Sequence, residues 1–120
     1  MATRALLETE YAETTLAWAR DALELTDIEL GMVLGADRKT VQRWRDRRST
    51  PSVTHRRQIE KLNQLRYLWE TSFRNAEAAQ RWLHAPSPAL RGRTPLFALA
   101  EGELDGIIQL LGTAAAGAFR

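Results

Sequence analysis

The sequence predicts an all-α fold: an N-terminal helix-turn-helix bundle joined by one long helix to a small helical C-terminal unit. Three observations carry this expectation. Apolar residues recur at helical three- and four-residue steps along most of the chain. The runs are punctuated by capping residues, glycines or prolines. No stretch alternates as a half-buried strand would. With 120 residues, 44% of them hydrophobic and 27% charged, the chain suits one compact domain or two small units sharing a core.

In chain order, Leu6, Leu7, Tyr11, Leu16, Trp18, Ala22 and Leu23 mark an amphipathic helix over 3 to 24. Leu25-Thr26-Asp27 breaks it. Thr26, with Glu29 three positions on, forms a capping-box pattern that starts a short helix ending at Gly35. Asp37 or a neighbour caps the next helix, which runs through Val41 and Trp44 and stops before Ser49-Thr50-Pro51-Ser52. A long helix over 52 to 73 follows. Asn75 caps a further helix, and Ala85-Pro86-Ser87-Pro88 ends it because proline cannot continue the hydrogen-bond ladder. A loop runs to about Thr94, Pro95 opens a short helix closed by Gly102, and Leu104 begins the last helix, expected to loosen through Gly112 and Gly117. The expected division is 1–74 and 75–120.

Charge is distributed unevenly. Residues 1 to 37 hold two basic and eight acidic groups, residues 38 to 66 hold ten basic and two acidic, and the remainder is balanced. A concentrated cationic stretch suits a polyanion, because neutralising phosphates releases counterions. It also suits a solvated helix face.

The segment from Asp27 to Asp46 decides between them. A helix-turn-helix needs a small residue at the helix crossing, a turn residue tolerant of positive φ, and apolar residues locking the second helix onto the first. Gly31, Gly35, and the set Leu30, Leu34, Val41 and Trp44 supply these. Arg38, Lys39, Thr40, Gln42 and Arg43 are left on the outer side, towards the end that enters a major groove. Arginine and lysine pair with guanine and glutamine with adenine, so this face has base-reading chemistry. Arg45, Arg47, Arg48, Arg56 and Arg57 suit phosphates, which position the protein without specifying sequence. A regulator of this kind generally reads two half-sites as a homodimer, with the first or the long fourth helix as the pairing face.

These residues resemble the Xre-type helix-turn-helix of bacterial and phage regulators in Leu34-Gly35, Thr40-Val41 and the stretch from Trp44 to Pro51. Where that family often has a glycine three residues after the tryptophan, this chain has Arg47. That departure implies a differently closed helix end or an added phosphate contact. Residues 76 to 120 resemble the toxin-binding domain shared by the Xre, MbcA and ParS antitoxins. The likeness rests on Trp82-Leu83, Pro86-Ser87-Pro88-Ala89-Leu90, Gly92-Arg93-Thr94-Pro95-Leu96, Leu99, Gly102, Leu110-Leu111 and Gly117. Phe97 and Ala98 stand where the family often has an acidic residue and a leucine.

The resemblance implies an antitoxin that represses its own operon and neutralises a RES-domain toxin, of an enzyme family that degrades NAD. Toxin contacts would then fall to Trp82, Leu90, Arg91, Arg93, Pro95 and the tail Gly117, Ala118, Phe119 and Arg120. A tail ending in an aromatic and a cation can fill an apolar cleft and meet anionic groups; a frayed chain end is the alternative. For Trp18, Trp69 and Trp82, core packing competes with any partner role. A stand-alone dimeric repressor with no toxin partner is the other reading of the whole chain.

Other function classes find little support. The absence of cysteine excludes disulfides, cysteine-ligated zinc and thiol nucleophiles, and it fits a reducing cytoplasm. His55 and His84 lack partners at metal-ligand spacing, and no glycine loop cradles phosphate. Glu101, Glu103 and Asp105 cluster at a helix start, where the dipole favours them. Neither a cofactor, a metal nor an enzymatic activity is expected. No apolar run reaches the ~20 residues of a membrane span, and Glu8, Glu10 and Glu13 sit where a secretory signal would be apolar.

Overall fold

The structure, a computed structural model, describes residues 3–118, with side-chain surroundings from 10 to 114. Among the described residues seven α-helices follow in order: α1 Thr3–Leu23, α2 Asp27–Leu34, α3 Arg38–Arg45, α4 Val53–Ser72, α5 Ala76–His84, α6 Pro95–Ala100 and α7 Leu104–Ala118. A 3-10 turn at Pro88–Leu90 lies between α5 and α6. Among the described residues there is no strand, and no helix is long and apolar enough to cross a membrane. The all-α expectation holds.

Local chemistry sets the boundaries. Glu24 takes a positive φ of 57° and turns the chain out of α1. Thr26 and Glu29 then make the reciprocal capping box: Thr26 Oγ1 accepts from the Glu29 amide at 3.2 Å, and Glu29 Oε1 accepts from the Thr26 amide at 2.9 Å. Asp37, Asn75 and Thr94 cap α3, α5 and α6 through side-chain oxygens, at 2.7, 2.9 and 3.1 Å from the amides of Thr40, Ala78 and Phe97. Ser52 does the same for α4, and Pro95 occupies the first turn of α6. The loosening expected from Gly112 does not occur. α7 continues to Ala118, because one glycine costs a helix interior only about 1 kcal/mol and the alanines that follow are strong helix formers.

Packing joins these elements through one continuous core. α4 lies against both α1 and α7, while α2 packs on α3 and α6. Leu16, Leu30, Trp44, Leu62, Leu83, Leu99 and Ile107 belong to a single buried cluster drawn from all seven helices. Around α4, Trp69 meets Trp18 of α1 at 6.3 Å and Trp82 of α5 at 5.9 Å, both edge-on, and Phe73 closes the group at 5.0 Å from Trp69. Offset and edge contacts of this kind add to the area that such rings bury.

Candidate functional site

The α2–turn–α3 unit is locked from within. Leu30, Leu34, Val41 and Trp44 are all at most 2% exposed, so the inner face expected from their spacing forms. Gly31 lies so close to the turn that a Cβ there would sit 2.3 Å from the Ala36 carbonyl oxygen. Gly35 has the left-handed φ of 71° that closes α2. His55 of α4 adds a brace that the sequence did not disclose. Its ring lies 4.9 Å from Trp44, Nε2 reaches the Gly35 carbonyl at 3.3 Å, and Nδ1 meets Ser52 Oγ at 3.0 Å. A carbonyl only accepts, so Nε2 donates to it.

Outside this lock, Arg38, Lys39, Arg43 and Arg48 are exposed, and Thr40 and Gln42 are half-buried on the same helix. Asp37 stands at the head of this face. Hydrogen bonds from Thr40, helped by Arg43 and Lys39, hold its carboxyl below the usual carboxylate range. The basic face therefore carries one fixed negative charge at its N-terminal edge.

The remaining cations divide. Arg45, expected at phosphates, donates from Nη1 to Asp27 at 2.8 Å and braces α3 against α2. Arg47 takes the left-handed φ of 58° that a glycine would adopt, and the Arg48 amide reaches back to the Arg43 carbonyl at 2.8 Å. α3 thus closes in the ordinary way despite the missing glycine. The Arg47 guanidinium is turned onto Glu13 of α1, with Glu10 at 4.0 Å. The hydrogen bond it donates to Glu13 pushes it above its usual value. Arg56 is half-buried and Arg57 exposed at the start of α4.

In the C-terminal half, the segment from Ala85 to Thr94 is tied to itself. The Ser87 amide donates to the Arg93 carbonyl at 3.0 Å, and the Gly92 amide to the Ser87 carbonyl at 2.8 Å. Leu90 is buried beneath the turn, Arg91 is exposed at a φ of 60°, and Pro95 is buried at the head of α6. Arg93 bonds its Nε to the Leu90 carbonyl at 2.9 Å and its guanidinium to Glu103. That bond holds Glu103 below the usual carboxylate range. Trp82 is half-buried in the aromatic group, so it packs in the core while keeping an edge in solvent. Gly117 and Ala118 end α7, and Phe119 and Arg120 lie outside the described residues. Among the described residues, no group of three His, Cys, Asp or Glu side chains could hold a metal ion.

Fold and site together define a helix-turn-helix unit that shares one core with a helical C-terminal half carrying an exposed, internally braced arginine loop. Residues 64–117 match the model of the antitoxin Xre/MbcA/ParS C-terminal toxin-binding domain, the family that the C-terminal residues resemble. The match begins inside α4, earlier than the resemblance from residue 76, and takes in Trp69 of the aromatic group. In fold the chain is similar to one from the crystal structure of the M. tuberculosis MbcT-MbcA toxin-antitoxin complex: 24% identity, 88% of this chain and 94% of that one covered, TM-score 0.52. No curated protein sequence matches the chain.

Proposed function

We propose that the chain is a type II antitoxin. Its C-terminal domain binds and neutralises a RES-domain, NAD-degrading toxin, and its helix-turn-helix binds operator DNA and represses its own operon. The match of residues 64–117 to a toxin-binding domain carries this reading. The cationic face on α3 supports the DNA-binding half.

In this reading Arg38, Lys39, Gln42 and Arg43 meet base edges, Thr40 adds a hydroxyl, and Arg48, Arg56 and the partly engaged Arg47 meet phosphates. Two copies act on two half-sites. Toxin contacts come from the braced loop, through Leu90, Arg91, Arg93 and Pro95, from the exposed edge of Trp82, and from the end of α7. Gly117, Ala118, Phe119 and Arg120 meet the toxin at its active-site entrance and block it. The antitoxin works by binding alone, with no cofactor or metal, in the cytoplasm where NAD and operator DNA are found.

Co-expression with a RES-domain enzyme encoded beside this gene tests the reading. Growth and cellular NAD are retained, and the two proteins purify together. Continued toxicity with abundant antitoxin removes the toxin-neutralising function. If the chain then still retards its upstream DNA, it is a stand-alone repressor.

A further inference from the structure

Between Asp37 and Arg43 three side chains are cationic and one, Asp37, is anionic. Asp37 is exposed and caps α3, so it stands at the tip of that helix rather than along its side. Thr40 donates to its Oδ1 from the backbone amide at 2.7 Å, and the Thr40 side chain adds a second hydrogen bond. A carboxylate has about four lone-pair sites, so these bonds fix its orientation and still leave acceptor capacity on an exposed group. Capping alone does not call for a charge there, because asparagine and serine cap a helix equally well.

We infer that Asp37 is a specificity-determining residue of the operator contact, accepting a hydrogen bond from the N4 amino group of a cytosine in the major groove. This contact deepens the operator-binding reading and rests on it. A recognition helix meets base edges with its N-terminal residues, which brings its cap to the same depth in the groove. An anion carried there is repelled by the phosphates on either side and gains only from a base that donates to it. The four bases differ in what they offer. Guanine presents acceptors, thymine an acceptor and a methyl group, and adenine a donor beside an acceptor. Cytosine alone presents a donor with no acceptor of its own beside it. An ionised carboxylate only accepts, so cytosine is the base it matches.

The surrounding cations favour the same base pair. The charges of Arg43 and Lys39 both act on the Asp37 carboxyl. Each is a donor that suits guanine O6 and N7, in the partner of that cytosine or in an adjoining pair. An acceptor at the helix tip with donors behind it is the complement of a C·G edge. The carboxylate also rejects guanine or thymine at its own position, where acceptor would face acceptor. That rejection lowers affinity for DNA in general, since a negative charge near phosphates opposes binding to every sequence. Asp37 therefore exchanges affinity for discrimination.

The test is selection from a library of random DNA duplexes by the full chain, with Asp37→Asn and Asp37→Ser as variants. Both replacements keep an N-cap, so both chains retain the helical circular dichroism of the wild type. The wild type enriches a motif with a fixed C·G pair, preferred over the other bases at that position by about tenfold. Asparagine pairs with adenine N6 and N7, so Asp37→Asn moves the preference at that one position to adenine. Asp37→Ser, with a shorter and uncharged side chain, loses the preference there and keeps the rest of the motif. Retardation assays show both variants binding random DNA more tightly than the wild type, because a negative charge is gone. If both variants gain that affinity yet enrich the wild-type motif, Asp37 acts through its charge alone and the inference is overturned. A wild-type motif without a fixed C·G pair overturns it as well. A wild type that enriches no sequence instead removes the operator-binding reading, and the cytosine contact with it.

Discussion

Gly31 shows how much one hydrogen atom in place of a side chain can decide. An alanine methyl there would meet the Ala36 carbonyl oxygen at 2.3 Å, and that atom is backbone in a turn already fixed by the Ala36 amide bonding back to the Gly31 carbonyl. Gly31→Ala is predicted to cost about 1–3 kcal/mol, the usual range for forcing extra volume into a packed site. Gly106 is the counter-case, a helical glycine with open space around it. Gly106→Ala is predicted to gain about 0.5–1 kcal/mol by restricting the unfolded chain and restoring helix propensity. Urea midpoints of the two variants should move in opposite directions; a shared direction refutes the steric account. The crossing role of Gly31 was legible from its spacing to Gly35 and the apolar residues. The partners of Arg45, Arg47 and His55 were not, because Asp27, Glu13 and Gly35 lie 18, 34 and 20 positions away in sequence. A run of arginines reads alike whether its members face water, phosphate or a distant carboxylate.

Among elements, α3 is where the proposed operator contacts divide into base reading and anchoring. Arg43 stands exposed on its outer face, and Arg48 is exposed just beyond its end. Arg43→Ala is predicted to narrow the gap between operator and random DNA by about tenfold or more. Arg48→Ala weakens binding to all sequences alike and reduces the salt slope by about one. Arg56 is a poorer test of phosphate contact than the sequence implied, since it is half-buried at the start of α4. Retardation assays at several salt concentrations distinguish the two effects, and equal salt-sensitive losses would falsify the base-reading role. The cap of α3 adds a pH dependence. Asp37 in the folded chain lies below its usual value, as do Glu13 and Glu103 beside their arginines. A depressed folded value means stability that is fully present above the ordinary carboxylate range and is lost as pH falls through the folded value. Melting temperature should therefore fall on acidification below that range. Asp37→Asn keeps an equally good cap without a titrating group, so its melting temperature should fall less steeply. Helix starts were legible because capping is a local code, carried by Thr26, Asp37, Asn75 and Pro95. The closure of the 85–94 loop was not, since it depends on backbone bonds between Ser87, Gly92 and Arg93 that no residue type announces.

For the molecule as a whole, the consequential feature is that the two halves share a core. α4 contacts α1 and α7 alike, and Trp69 in its second half touches Trp18 on one neighbour and Trp82 on another. Sequence periodicity placed each tryptophan on an apolar stripe, but it could not say that three stripes converge, because that is a property of how helices cross. Convergence predicts cooperative behaviour. Trp69 is 6% exposed, and Trp69→Ala removes a large ring from the junction, at a cost of about 3–5 kcal/mol. Small domains are held by only about 5–15 kcal/mol in total, so this substitution should lower the stability of both halves together. Helical circular dichroism and tryptophan fluorescence should then give superimposed unfolding curves in the wild type, and curves displaced equally in Trp69→Ala. If instead the C-terminal helices melt first while the helix-turn-helix persists, the core conducts no such coupling. A shared transition would also mean that a partner bound to either half stabilises the other, because any ligand that binds only the folded chain draws the same equilibrium towards it. Adding a cognate toxin should accordingly raise the melting temperature reported by Trp44, which lies within the helix-turn-helix and far along the chain from the domain matched at 64–117.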